Sequence, residues 1–253
     1  MFALGVGVQG SVPLGSATGL ADPLQTVLAI SALIQAGQDM GYTFRISSDF
    51  AEFAELRQAL RQSEVSPMFD AAVDPSLAEH GFWMSAVNSQ NETVALQALR
   101  LDEALPNLAE WALGWMMGLY VRRREMIIPR HIRPPEHSLT RLIRGKVVYQ
   151  GETWIEKHSK GCFKVFPRIG MLLALVKWQP EAIWALTGAS MATRGHMIRA
   201  GYGHLEQSFL TWEWEPSGAE KNEWIGIAER RHLEFSIAEM MTTEAKYQLS
   251  QFP

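Results

Sequence analysis

Residues 146–214 constrain the fold of this chain more than any other stretch, because their hydrophobic period alternates between strand and helix in a fixed order. The pattern at 146–157 predicts a strand, with Gly151 able to admit a bulge. Residues 158–163 read as a loop. A helix follows over 165–178, tolerating Pro167 because the proline falls in its first turn. Residues 182–187 predict a short buried strand and 190–200 a helix ended by Gly201. Over 204–214 a long strand is expected, in which Leu205, Gln207, Phe209 and Thr211 alternate with Glu206, Ser208, Leu210 and Trp212.

The flanking sequence supplies further elements. Residues 1–20 are rich in Gly, Ser and Val without clear period and read as a loose or paired extension. Asp22-Pro23 has the form of a helix start, and Tyr42, Phe44 and Ile46 alternate as in a strand. Asp49 can cap a helix carrying Phe50, Phe53, Leu56 and Leu60 on one face. Residues 82–87 and 93–101 predict a hairpin. A helix over 106–121 follows, with Leu108, Trp111, Ala112, Trp115, Met116 and Leu119 forming an apolar stripe. A Pro-rich link spans 128–135, and 222–246 reads as a final helix.

Composition narrows the function classes. A formal charge of −4 over 253 residues argues against a general nucleic-acid binder. Cys162 is the single cysteine, so neither an intrachain disulfide nor a cysteine zinc site can form. The apolar runs at 24–34 and 113–121 are too short to span a bilayer, and the first residues lack the basic start of a secretory signal. The expectation is a cytoplasmic protein without membrane partners. Gly5, Gly7 and Gly10 match a dinucleotide fingerprint in letters only, since no strand precedes them. His131 and His137 lack ligand spacing and a third partner, so no metal is expected.

Three features carry a family resemblance. Gly151-Glu152-Thr153-Trp154-Ile155 leads into the loop Lys160-Gly161-Cys162-Phe163. The helix behind that loop carries Gly170, Leu172, Leu173 and Leu175, and Gly201-Tyr202 closes the next helix before a strand. In these features, and in its order of elements, the chain resembles the GNAT superfamily of acyl-CoA N-acyltransferases. The resemblance implies an α/β fold: a mixed, strongly twisted sheet flanked by helices. It divides the chain into an N-terminal extension with one helix (1–40), a GNAT-like domain (41–214) and a C-terminal helix packed on it (215–253). It also implies transfer of an acyl group from acetyl-CoA or a longer acyl-CoA to a small-molecule amine.

The same resemblance places a coenzyme A site on Thr153 and Ile155 of the strand and on His158, Ser159, Lys160, Gly161, Cys162, Phe163 and Lys164 of the loop and helix start. Backbone N–H groups at a helix N-terminus can cradle a diphosphate. Charge agrees: between Arg122 and Arg168 basic residues outnumber acidic ones twelve to four. Four positions depart from the family pattern: Lys157 where it often has proline, Phe163 at the second loop glycine, Ser190 at the frequent asparagine and Met197 at the frequent tyrosine acid.

For the chemistry, Glu152 and then Glu156 are candidate bases, and Tyr202 could reach a leaving thiolate. Simple ion pairing of the two glutamates and packing of the tyrosine are the bland alternatives. Ser159 and Cys162 come with no placed base and are not candidate nucleophiles. Two other function classes stay open: a GNAT-fold protein that binds acyl-CoA or another anion without turnover, and a Trp-rich oligomerising protein. The Trp111/Trp115/Met116 stripe, if exposed, would serve a homodimer.

Overall fold

The computed structural model describes residues 22–124, 128–131, 136–216 and 219–250. The expectations for 1–20, for the three glycines there and for residues 132–135 of the link lie outside the described residues, while 128–131 of the expected link form a strand.

Helix α1 (Pro23–Asp39) starts where Asp22 accepts hydrogen bonds from the amides of Leu24 and Gln25, with Pro23 in its first turn. Strand β1 (Thr43–Ser47) leads to α2 (Phe50–Arg61), capped by Asp49 through the amides of Ala51 and Glu52. The short α3 (Leu77–His80) precedes the hairpin of β2 (Gly81–Val87) and β3 (Thr93–Ala104). Helix α4 (Leu108–Arg122) and β4 (Ile128–His131) complete the first half. The second half runs β5 (Gly145–Ile155), α5 (Cys162–Trp178), β6 (Ala182–Gly188), α6 (Ala189–Thr193), α7 (His196–Ala200), β7 (His204–Trp214), β8 (Asn222–Glu229) and α8 (Arg230–Ser250).

All eight strands join one mixed sheet in the order β1-β2-β3-β5-β6-β8-β7-β4. Among the described strands only β5 and β6 run parallel, joined by the α5 crossover; the other neighbours are antiparallel. One core, with α1, α5 and α8, holds Met84, Val148, Phe166, Leu172 and Ile183. The opposite core, with α2 and α4, holds Phe53, Phe69, Trp83, Met116 and Trp184. This α/β architecture, with helices on both faces, follows the element order expected over 41–214.

Three expectations need correction. Residues 222–229 form β8 rather than the start of a helix, and β8 lies between β6 and β7. Glu223, Ile225 and Ile227 alternate with Trp224, Gly226 and Ala228, a strand period that passes into α8 with no intervening turn residue. The boundary set at 214 therefore falls inside the sheet, and 215–253 is not a helix alone. The helix expected at 190–200 is two short ones, broken at Gly195, whose φ of +70° a glycine adopts without strain. The aromatic stripe of α4 is turned inward: Trp115 packs edge-on to Trp184 and Tyr149 at ring distances of 5.7 and 5.4 Å. The stripe packs against the core on this face of the sheet.

Helix α5 sits close on the sheet because Gly170 faces β3. A Cβ there would stand 2.6 Å from the Gln97 amide and 3.1 Å from Leu99. Gly170→Ala should therefore destabilise the protein by about 1–3 kcal/mol through overpacking, read as a lower urea midpoint.

Candidate functional site

Strands β5 and β6 are paired for a short distance only. Val147, Val148 and Tyr149 lie beside Ala182, Ile183 and Trp184; beyond them the two strands have no registered partners in each other. On their outer edges both remain paired, β5 with β3 as far as Ile155 and β6 with β8 as far as Gly188. The parting leaves a slot through the sheet, and a cavity of about 1170 Å³ occupies it. Its walls come from both faces: Phe163, Lys164 and His196 with α5 and α7, Met116 and Tyr120 with α4.

A bulge shapes one wall. Ala98 pairs with Gly151 but Leu96 pairs with Trp154, so β5 carries one residue more than β3. Glu152 takes the strain at φ +52°. The bulge sends its side chain towards α2, where Oε2 accepts from Arg57 Nε at 2.9 Å and from Arg61 at 3.2 Å. Oε1 accepts from the Ser66 amide at 2.7 Å. The carboxylate is 5% exposed and accepts three hydrogen bonds. A group held this way fixes α2 to β5, and its lone pairs are already engaged.

Glu156 is also engaged. Its Oε2 accepts from the amide of His158 at 2.7 Å and from the Ser159 hydroxyl at 3.3 Å, which folds the loop before α5. Gly161 then turns the chain at φ +79°, and its missing side chain leaves room for Met40. The Lys160 carbonyl accepts from the Tyr42 hydroxyl at 3.0 Å. Thr153, Ile155, Ser159, Gly161, Phe163 and Lys164 line the cavity, whereas His158, Lys160 and Cys162 are not in its wall. Cys162 is fully buried and its thiol is pushed up to about 12 by burial, which keeps it protonated. The Phe163 ring meets the His196 ring edge-on at 5.4 Å.

Tyr202 reaches the cavity wall but its hydroxyl is committed. It donates to Gln150 at 2.6 Å, while Gln150 donates to Gln97 at 2.6 Å and to the Pro167 carbonyl at 3.1 Å. Gln97 in turn donates to the Phe166 carbonyl at 2.8 Å. This buried chain ties β3, β5 and the segment after α7 to α5, and burial raises the Tyr202 pKa. Tyr202→Phe leaves Gln150 with an empty acceptor and should cost about 1–2 kcal/mol in urea unfolding. Met197, also in the wall, is buried and has no proton to give.

The sequence reading missed Glu223. It sits on β8 opposite Gly188 of β6 and Leu210 of β7, and its carboxyl accepts from the Trp212 indole at 2.9 Å. Burial pushes its pKa up to about 7. Glu223 lines the cavity, so one carboxyl in the wall can change charge near neutral pH. Among the described residues, no group of His, Cys, Asp and Glu could hold a metal ion. No described helix is long and apolar enough to cross a membrane.

No family model and no curated protein matches this sequence. Among solved structures the chain is similar to a chimera of the spermidine N-acetyltransferase SpeG from Vibrio cholerae and hSSAT. The TM-score is 0.44 at 10% identity, over 76% of this chain and 98% of that one. It is also similar to FeeM, an N-acyl amino acid synthase from uncultured soil microbes (TM-score 0.41, 10% identity, 76% of this chain and 92% of that one). A third is a GNAT superfamily phosphinothricin acetyltransferase from Sinorhizobium meliloti in complex with AcCoA (TM-score 0.39, 9% identity, 75% and 88%).

Proposed function

We propose that this chain transfers an acyl group from a coenzyme A thioester to an amine within the slot between β5 and β6. The observation that carries the reading is the parting of these two parallel strands after Tyr149 and Trp184. Parted strands leave N–H and C=O groups on their facing edges without a ladder partner, and an extended arm with two amides can satisfy them. Pantetheine is such an arm. The diphosphate then falls to the N-terminal end of α5, where Gly161 and Lys164 line the cavity and helix amides favour an anion. Lys157 and Lys160 are exposed nearby and add charge of the required sign.

In the transfer step the amine nitrogen attacks the thioester carbonyl carbon, the carbon–sulfur bond breaks, and the thiolate leaves. Glu223 accepts the proton from nitrogen, and that proton passes to the thiolate, so the sum of the step is amide plus free thiol. A carboxyl with its pKa near 7 suits a base that works at neutral pH. Glu152 and Glu156 are assigned to holding α2 and the loop, since both carboxylates already accept strong hydrogen bonds.

A second reading keeps the slot and omits the chemistry. It is favoured by Met197 in the wall and by the commitment of the Tyr202 hydroxyl to Gln150, so that neither residue protonates the thiolate. Release of free thiol from acetyl-CoA, measured against a panel of amines, separates the two. Amine-dependent release supports transfer; saturable binding without release supports the binder. The site is expected to take no metal, and turnover should be indifferent to a chelator.

A further inference from the structure

We propose that the Tyr149 hydroxyl is a catalytic proton donor, delivering its proton to the leaving thiolate where β5 and β6 part; this rests on the transfer reading above and adds a residue to it. Tyr149 is the last residue of β5 paired with β6, opposite Trp184, so the slot opens immediately beside it. Its ring leans along β5 towards the parted stretch. A Cβ on Gly151 would stand 2.8 Å from Tyr149 Cε1 and 3.2 Å from Cζ, the carbon that bears the hydroxyl.

Three aromatic neighbours fix that ring. Phe69 stacks on it at 5.7 Å, Trp115 meets it edge-on at 5.4 Å and Trp184 lies at 4.7 Å. Tyr149 is 8% exposed and lines the cavity. Among the described residues no group hydrogen-bonds its hydroxyl. A buried hydroxyl without a protein partner is uncommon and calls for a reason. Bonding to a substrate atom supplies one. Tyr202, by contrast, already donates to Gln150.

Glu223 stands on the same face of the sheet. Tyr149 lies level with Trp184, and Trp184 with Ile227; Glu223 is an even number of residues from Ile227 along β8. Burial first, and then the Glu223 carboxylate, hold the Tyr149 phenol well above its ordinary value, so it keeps its proton until a strong base appears. The thiolate is that base. As the carbon–sulfur bond breaks, the Tyr149 O–H proton moves to sulfur. The proton that Glu223 has taken from nitrogen then returns to the phenolate oxygen. The products are amide and free thiol, with Tyr149 and Glu223 restored.

The test is Tyr149→Phe in the full chain, assayed for amine-dependent release of thiol from acetyl-CoA. The rate constant kcat should fall about 10²-fold, the lower end of what a positioned proton donor contributes. Acetyl-CoA affinity, read by calorimetry, should be unchanged. The urea midpoint should also hold, because this substitution removes no protein hydrogen bond, whereas Tyr202→Phe removes one. The rise in rate through about pH 7 belongs to Glu223 and should persist in the variant. Turnover at the wild-type rate by Tyr149→Phe would overturn the inference and leave the transfer reading standing. A slow variant that also bound acetyl-CoA poorly or unfolded at lower urea would assign Tyr149 to the wall and overturn the inference too. No thiol release by the wild type with any amine would overturn both.

Discussion

Glu223→Gln should remove most of the turnover and leave coenzyme A binding in place. General base catalysis contributes about 10²–10⁴-fold, so kcat should fall by that order while the affinity for the thioester changes little. In the wild type the rate should rise with pH through about 7, as the carboxyl loses its proton, and the variant should lose that limb. Stability gives an independent reading of the same group. The folded pKa lies above the ordinary value of 4.5, so the folded state holds the proton more tightly than the unfolded one. Its contribution is most favourable below about 4.5 and is lost as pH rises towards 7. The loss is on the order of 2 kcal/mol, after allowance for partial exposure. Glu223→Gln removes the loss, so the variant should melt above wild type at pH 8 and level with it at pH 4. A variant inactive and also less stable at pH 8 would assign Glu223 to structure alone.

Arg57→Met should be the most destabilising change at the site. Arg57 and Glu152 are both nearly buried and 2.9 Å apart, and Arg57 also donates to Ser63. Removing one partner leaves a buried carboxylate with only Arg61 and the Ser66 amide, a loss of about 3–5 kcal/mol in a urea titration. Arg57→Met combined with Glu152→Met should recover much of it, because no uncompensated charge remains. If the single variant cost less than about 1 kcal/mol, the ion pair would not be what fastens α2 to the bulge of β5.

The parts of this account legible in the sequence are those set by local period. The alternation of 204–214, the capping residues Asp22 and Asp49, and Gly161 and Gly201 beside their helices all act within a few residues, and the elements appear where these signals stand. The bulge expected at Gly151 is present, but its consequence is not local. Glu152 is turned towards Arg57, a residue 95 positions away, and nothing near Glu152 announces that partner. Strand β8 was hidden for the opposite reason. Glu229 runs straight into Arg230 of α8, so strand and helix share one uninterrupted stretch without Gly or Pro between them. With 222–229 expected as helix, Glu223 has no place beside a slot. Its raised pKa comes from burial between β6 and β7, a property of the sheet and not of its neighbours in sequence.

Amide hydrogen exchange with and without coenzyme A tests the central claim most directly. On the proposed function, the arm of the cofactor bridges the facing edges of β5 and β6 where they part. Coenzyme A should slow exchange at residues 151–155 of β5 and 185–188 of β6, and at the first turn of α5. Residues 147–149 and 182–184, already paired with each other, should be unaffected. Protection confined to other parts of the chain, or none at saturating coenzyme A, would contradict the account.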